Sequence, residues 1–250
     1  MILALALVLL FGASALNAQS VATGLYNEAN ALYRSGDFAG AHRLYREVAA
    51  TGVRDARLFY NLGNANFKLG RMGEAILWYE RAQRLAPHDE DIENNLRFAN
   101  LIKKDREPAD DRNAVLRGLS VFYFWPSADQ LSLLFALCFL ALFGLAARRL
   151  LASDRLGVVW LSSVSLCSML STVFALWLGS RLHYRAGIDE AIVVAEKIMA
   201  RSGPAESQTE VFTAHEGTKV RLVRSEGQWV LVRLANGLGG WMRDDALERI

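Results

Sequence analysis

Tyr26-Asn27-Glu28-Ala29-Asn30-Ala31-Leu32-Tyr33-Arg34-Ser35-Gly36 returns 34 residues later as Tyr60-Asn61-Leu62-Gly63-Asn64-Ala65-Asn66-Phe67-Lys68-Leu69-Gly70. The register continues, with Ala41 falling on Ala75 and Tyr45 on Tyr79. A fixed period of 34 with small residues at constant offsets marks a helix-turn-helix repeat. Such repeats stack on their neighbours and present an extended concave surface. The first expectation is therefore binding rather than catalysis.

The second copy is the better formed. It opens on Phe59-Tyr60-Asn61-Leu62-Gly63-Asn64-Ala65 and closes on Ala75-Ile76-Leu77-Trp78-Tyr79-Glu80-Arg81-Ala82, with Pro87 beyond. Gly63 and Ala75 let the two helices of a hairpin approach, and Ala82 does the same toward the next repeat. Gly70 permits the turn, and Pro87 cannot continue the second helix. These positions resemble the tetratricopeptide family, with one departure at Asn66, where the family has an aromatic. The first copy is weaker, with Ala29 for Gly63 and Val48 for Ala82. A partial third copy starts at Asn95-Leu96 and Ala99, then fades into Lys103-Lys104-Asp105-Arg106-Glu107-Pro108. Residues 89–103 are expected to form one closing helix, and the repeat region to cover 22–103.

In this family the first helix of each repeat lines the groove. The resemblance places Tyr26, Asn27, Asn30, Arg34, Tyr60, Asn61, Asn64, Lys68 and Asn95 there. Asparagine amides can hydrogen-bond an extended peptide backbone, and Arg34 and Lys68 can hold a carboxylate. The other reading also stands: repeat consensus for the asparagines and a solvated face for the two cations.

The 250 residues carry a net charge of +2, which gives no pull toward nucleic acid. Mean hydropathy is positive, at +0.15, because apolar residues gather in three runs. Ile2 to Leu16, a short apolar core and then small residues at Ala13, Ala15 and Ala18, reads as a secretory signal over 1–18. No Lys or Arg precedes its core, so cleavage and retention as an anchor are both open. Leu131 to Ala147 is uncharged for 17 residues and Val158 to Leu178 for 21. As helices they reach ~26 and ~31 Å, against a hydrocarbon core of ~30 Å.

Two transmembrane helices are therefore expected, at 130–147 and 157–179. The loop between them, 148–156, carries Arg148, Arg149 and Arg155. Short basic loops stay in the cytoplasm, which puts both long flanks outside it. Residues 104–129 read as a charged and aromatic juxtamembrane linker. Within it Phe122, Tyr123, Phe124 and Trp125 suit a membrane interface. The two cysteines, Cys138 and Cys167, lie inside the spans, where packing is the simpler reading and a redox pair the other. Ser162, Ser163, Ser165, Ser168 and Ser171 suit close helix packing.

After a linker at 180–190 the pattern changes. Ile192-Val193-Val194-Ala195, Glu210-Val211-Phe212, Lys219-Val220-Arg221-Leu222-Val223 and Trp229-Val230-Leu231-Val232-Arg233-Leu234 are short β-branched and aromatic runs. Gly203-Pro204, His215-Glu216-Gly217, Glu226-Gly227 and Asn236-Gly237 separate them. That spacing reads as a small all-β barrel over 191–250. Lys219 to Arg224 alternates outward charge with inward Val220 and Leu222. Ala200-Arg201-Ser202-Gly203-Pro204, Glu216-Gly217-Thr218-Lys219-Val220, Gln228-Trp229-Val230-Leu231-Val232 and Gly240-Trp241-Met242 resemble the successive signatures of bacterial SH3-like domains. By that resemblance the barrel takes a peptide or a cell-wall glycopeptide. Trp229 then belongs to its core and Trp241 to its ligand face.

No catalytic set stands out. His42, His88, His183 and His215 are dispersed, without a metal-binding spacing, and no phosphate-loop, nucleophile-elbow or dinucleotide motif occurs. Asp89-Glu90-Asp91 suits a helix start. Neither an enzyme, a cofactor nor a metal is expected. The fold class is multidomain: a helical tetratricopeptide solenoid, two transmembrane helices and an SH3-like barrel. Taken whole, this order resembles the BatE family of the Bacteroides aerotolerance system. The resemblance implies an inner-membrane assembly with von Willebrand A-domain proteins and a MoxR-type ATPase, and a link to oxidative stress. A peptidoglycan tether through the barrel is the alternative function.

Overall fold

Three aspartates start three helices. Asp37 accepts from the Gly40 amide at 2.8 Å, Asp55 from Arg57 and Leu58 at 2.8 and 3.1 Å, and Asp89 from Asp91 and Ile92 at 3.1 and 3.2 Å. Each satisfies amides that a helix N-terminus leaves without intrahelical partners. The helices they cap are α2 (Phe38–Ala50), α3 (Ala56–Lys68) and α5 (Glu90–Ile102). With α1 (20–35) and α4 (Met72–Leu85) they form two hairpins and a fifth helix. Gly70, at φ +75°, makes the turn from α3 to α4, a backbone region open to glycine. The computed structural model describes residues 20–106, 114–151, 157–187 and 189–250. The expected signal at 1–18 lies outside them, as does Arg155.

Small residues let the hairpins close. A Cβ on Gly63 would stand 2.4 Å from the Tyr79 ring, so only glycine fits there. Ala29, Ala41, Leu62, Ala65 and Ala82 are fully buried in one cluster with Tyr45, Leu58 and Trp78. Burying each large side chain contributes ~1.5–3 kcal/mol.

The chain divides into two units. Unit 1 joins the chain before residue 108 to the chain after 189, and unit 2 is 109–188. Unit 1 ends in seven antiparallel strands: β1 (Glu190–Val193), β2 (Lys197–Arg201), β3 (Glu210–His215), β4 (Lys219–Glu226), β5 (Trp229–Arg233), β6 (Gly239–Arg243) and β7 (Leu247–Arg249). Their order is β3-β2-β6-β5-β4-β1-β7. The edge strands supply Ala214 and Leu247 to one cluster with Val193, Val220, Val230, Val232 and Met242, so the sheet curls round a single core. Val220 and Leu222 point into it, as the alternation requires.

Repeats and sheet share a further core. Ile192 is fully buried among Ala75, Ile76, Leu77 and Tyr79 of α4 and Leu96 and Ala99 of α5. A third repeat would set a second helix against these residues; strand β1 takes that place. Polar links surround the contact. The Gly73 amide donates to Glu216 Oε2 at 2.9 Å, and Lys103 Nζ to the Gly217 carbonyl at 3.2 Å. Asp105 accepts from the His215 amide at 2.7 Å and from Thr218 Oγ1 at 2.8 Å, and its other oxygen lies 2.9 Å from His215 Nδ1. Lys219 was expected to point outward. Its ammonium instead lies between Glu80 and Glu190, at 3.0 and 3.2 Å. Strand alternation says which side of the sheet a residue takes, not whether a helix covers that side.

Unit 2 holds α6 (Ala114–Phe124), α7 (Ala128–Leu151) and α8 (Val158–Gly187). Residues 104–129 are therefore not all linker, since they contain helix α6. Its end is fixed by Arg181, whose guanidinium donates to the carbonyls of Tyr123 and Pro126 at 2.9 and 3.1 Å and lies 4.9 Å from the Phe124 ring. The α7 helix and residues 158–183 of α8 are each long and apolar enough to cross a membrane. Only 6% of either apolar window is buried, the reverse of a soluble core helix. Cys138 and Cys167 are free thiols, each half-buried. Of the five serines singled out above only Ser171 is buried, and Ser162 and Ser163 bond their own helix at 2.9 and 2.8 Å.

Candidate peptide-binding groove

The period of 34 reappears as a repeated hydrogen-bond network. Tyr45 on α2 donates its hydroxyl to Asn30 Oδ1 on α1 at 2.7 Å. Asn61 on α3 donates Nδ2 to the same oxygen at 3.2 Å and to the Tyr26 hydroxyl at 2.9 Å. One period on, Tyr79 donates to Asn64 Oδ1 at 2.7 Å. Asn95 donates to Asn64 Oδ1 at 2.9 Å and to the Tyr60 hydroxyl at 3.0 Å. Each set ties three successive helices. Burial raises the hydroxyl pKa of Tyr45 and Tyr79, helped at Tyr79 by Tyr60 and Tyr33. These phenols stay protonated donors.

Six of the nine expected groove residues, Tyr26, Asn30, Tyr60, Asn61, Asn64 and Asn95, thus bond to one another. Their donors and acceptors meet within the repeats, which ties successive helices together. Asn27 is exposed and, with Tyr26, lines a separate cavity of about 650 Å³ at the N-terminal end. Arg34 is exposed. Lys68 lines a cavity of about 360 Å³ with Tyr33, Tyr60, Asn64, Phe67, Tyr79, Asn95 and Phe98. Its ammonium lies 6.0 Å from the Phe38 ring centroid.

The aromatic walls of that cavity were not anticipated. Phe67 and Phe98 stand 6.0 Å apart by ring centroid, and Phe98 is 53% exposed. The repeat register contained the signal. Tyr33 and Phe67 are one position in successive copies, and Leu101 is its third instance, 65% exposed. Phe98 falls where the earlier copies have Asn30 and Asn64. The face that carries these residues therefore turns from amide-rich to apolar along its length, with Lys68 at the change.

Trp241, expected on a ligand face of the sheet, is 8% exposed. Met242 beside it enters the sheet core, so Trp241 takes the opposite side. There the Arg224 guanidinium covers its ring at 5.3 Å. Trp229 is half-buried. Among the described residues, no cluster of three or more His, Cys, Asp or Glu could hold a metal ion.

Residues 26–90 match the family model described as "Tetratricopeptide repeat". No curated protein matches the chain. Among solved structures, the chain is similar to the Yersinia enterocolitica type III secretion chaperone SycD, determined with a peptide of the translocator YopD. The identity is 17%, with 63% of this chain and 94% of that chain covered, and the TM-score is 0.32, too low for any transfer. Residues 26–90 are a tetratricopeptide-repeat region.

Proposed function

We propose that the chain is a non-enzymatic scaffold of a bacterial inner membrane, holding a segment of a partner protein in the concave face of its repeats. One observation carries this: a cavity of about 360 Å³ on the inner face, walled by Phe67 and Phe98 and flanked by Lys68. It suits an extended segment with an apolar side chain and a carboxylate. Arg34 and Asn27 extend the surface toward the N-terminal end.

Helices α7 and α8 are the membrane hairpin of this reading, with their connection cytoplasmic. Unit 1 supports an even number of crossings, because segments before and after the hairpin fold into one core. Both must lie on one side, here the periplasm. The sheet is read as an SH3-like barrel, and the assembly as one of Bat type, with von Willebrand A-domain proteins and a MoxR-type ATPase as partners. The scaffold is preferred to a peptidoglycan tether because Trp241, the residue a tether would use, lies under Arg224.

The test is crosslinking from Lys68 and Phe98 positions in intact cells, followed by mass spectrometry of the solubilised membranes. Protein crosslinks from these positions, lost in Lys68→Glu, are the expected result. Crosslinks only from the sheet, to wall material, would overturn the scaffold reading.

A further inference from the structure

The other side of the repeats concentrates positive charge. Arg54, Arg81, Arg84 and Arg249 line a cavity of about 390 Å³ whose apolar floor includes Phe59 and Trp78. A fifth guanidinium, Arg46, lies 5.4 Å from the Trp78 ring centroid, and Arg81 lies 4.6 Å from it. Two carboxylates offset this charge. Glu190 meets Arg84 at 2.9 Å, and Glu248 stands 3.5 Å from Arg81. Arg81 also donates to the Arg249 carbonyl, and Arg84 to the Ile250 carbonyl at 2.8 Å. Among the described residues, Arg46, Arg54 and Arg249 have no carboxylate within 4.0 Å. Burial, together with Arg46, Arg54 and Arg84, pulls the Arg81 pKa down against the lift from Glu248.

Four guanidiniums line the cavity and two of them face carboxylates, which leaves Arg54 and Arg249 without one among the described residues. The guanidinium fork matches carboxylate and phosphate oxygens. A single carboxylate would neutralise one of these two, whereas a phosphate monoester carries about −1.5 to −2. The aromatic floor keeps water from one side, so an anion there gains more from each guanidinium than on an open surface.

We propose that this cavity is a phosphate-binding site, with Arg54 and Arg249 as the guanidiniums free to close on the ligand and Arg81 and Arg84 held in place by the sheet. It joins the α2–α3 turn, helix α4 and the end of β7, so a bound phosphate would also bind the repeats to the sheet. The phosphate could come from a soluble compound or from a lipid headgroup, and the two share this chemistry.

The experiment is calorimetric titration of inorganic phosphate into the detergent-solubilised whole chain, with acetate as the monovalent control. Phosphate is expected to bind and acetate not. Arg54→Ala with Arg249→Ala is expected to weaken phosphate by about tenfold or more, as for two lost charge-assisted contacts. Both side chains are exposed, so the melting temperature without ligand should be unchanged. No phosphate binding, or binding that ignores the double substitution, would overturn the site. The source is read from nanodiscs: competition by phosphatidylglycerol but not by phosphatidylcholine identifies a headgroup, and unaltered phosphate binding in both identifies a soluble ligand.

Discussion

Gly73 of α4 approaches Val193 of β1 so closely that a Cβ on Gly73 would stand 2.8 Å from the Val193 carbonyl oxygen. Backbone lies on the far side, so nothing flexible can move away; Glu216 Cβ is 3.0 Å distant and Val194 Cα 3.2 Å. Here the α4 backbone packs directly on the β1 backbone, with the Glu216 side chain alongside.

Gly73→Val should therefore loosen the joint and leave both halves otherwise folded. Overpacking of this kind costs about 1–3 kcal/mol. Limited proteolysis of the whole chain should release the sheet sooner than in the wild type. Equal protease resistance would show that the joint tolerates the displacement.

Lys219 holds Glu80 of α4 and Glu190 of β1 together. Burial would lower its pKa, but the two carboxylates outweigh burial and raise it. A raised lysine pKa gives stability that is full below the unfolded value and fades as pH climbs through the folded one. The wild type should thus lose stability at strongly alkaline pH, and Lys219→Met should lose that dependence. Lys219→Met leaves two facing, part-buried carboxylates and should cost about 1–3 kcal/mol. Thermal melting across pH checks both.

Asp105 gives the opposite dependence. Burial would raise its pKa, but hydrogen bonds from the His215 amide and ring and from Thr218 prevail and lower it. Its contribution is present above the ordinary carboxylate value and lost as pH falls through the depressed one. Acid should therefore open the contact between the end of α5 and the β3–β4 turn. The protection of the His215 amide against exchange, relative to its intrinsic rate at each pH, should fall on acidification, and in Asp105→Ala it should be lost at neutral pH already.

The amides and the cations of the inner face should separate experimentally. Asn64→Ala strands the Tyr79 hydroxyl and one Asn95 donor, costing about 1–3 kcal/mol of stability. Lys68→Glu touches no such network and should leave melting unchanged while abolishing capture of an acidic partner segment. If Lys68→Glu captures as well as wild type, the inner face is not the docking surface.

Local features were legible in the sequence and non-local ones were not. The period of 34 located both hairpins, and Asp89 was placed at a helix start. The asparagines were placed on the inner face, but their partners lie 31 and 35 residues away on other helices, where side-chain chemistry alone does not say which amide is used. Lys219 read as an outward charge because its acidic partner Glu80 is 139 residues distant. Strand β2, with the sequence Lys-Ile-Met-Ala-Arg, lacks the β-branched density of the four runs that were noticed. Helix α6 was hidden by an aromatic run that suits a membrane surface in any conformation.

The apolar helices α7 and α8 interrupt a single core rather than joining two finished ones, and this sets an order in time. Asp105 leaves the ribosome 110 residues before His215, a delay of roughly 6–22 s at ~5–20 residues per second. Throughout it, Ile76, Leu96 and Ala99 have no Ile192 to cover them. The nascent repeats therefore wait with an open end until α7, α8 and the strand after them have been made. On the proposed membrane reading, a chain whose hairpin failed to insert would keep that apolar end uncovered, visible to chaperones and proteases, so completion of unit 1 would report that integration had succeeded.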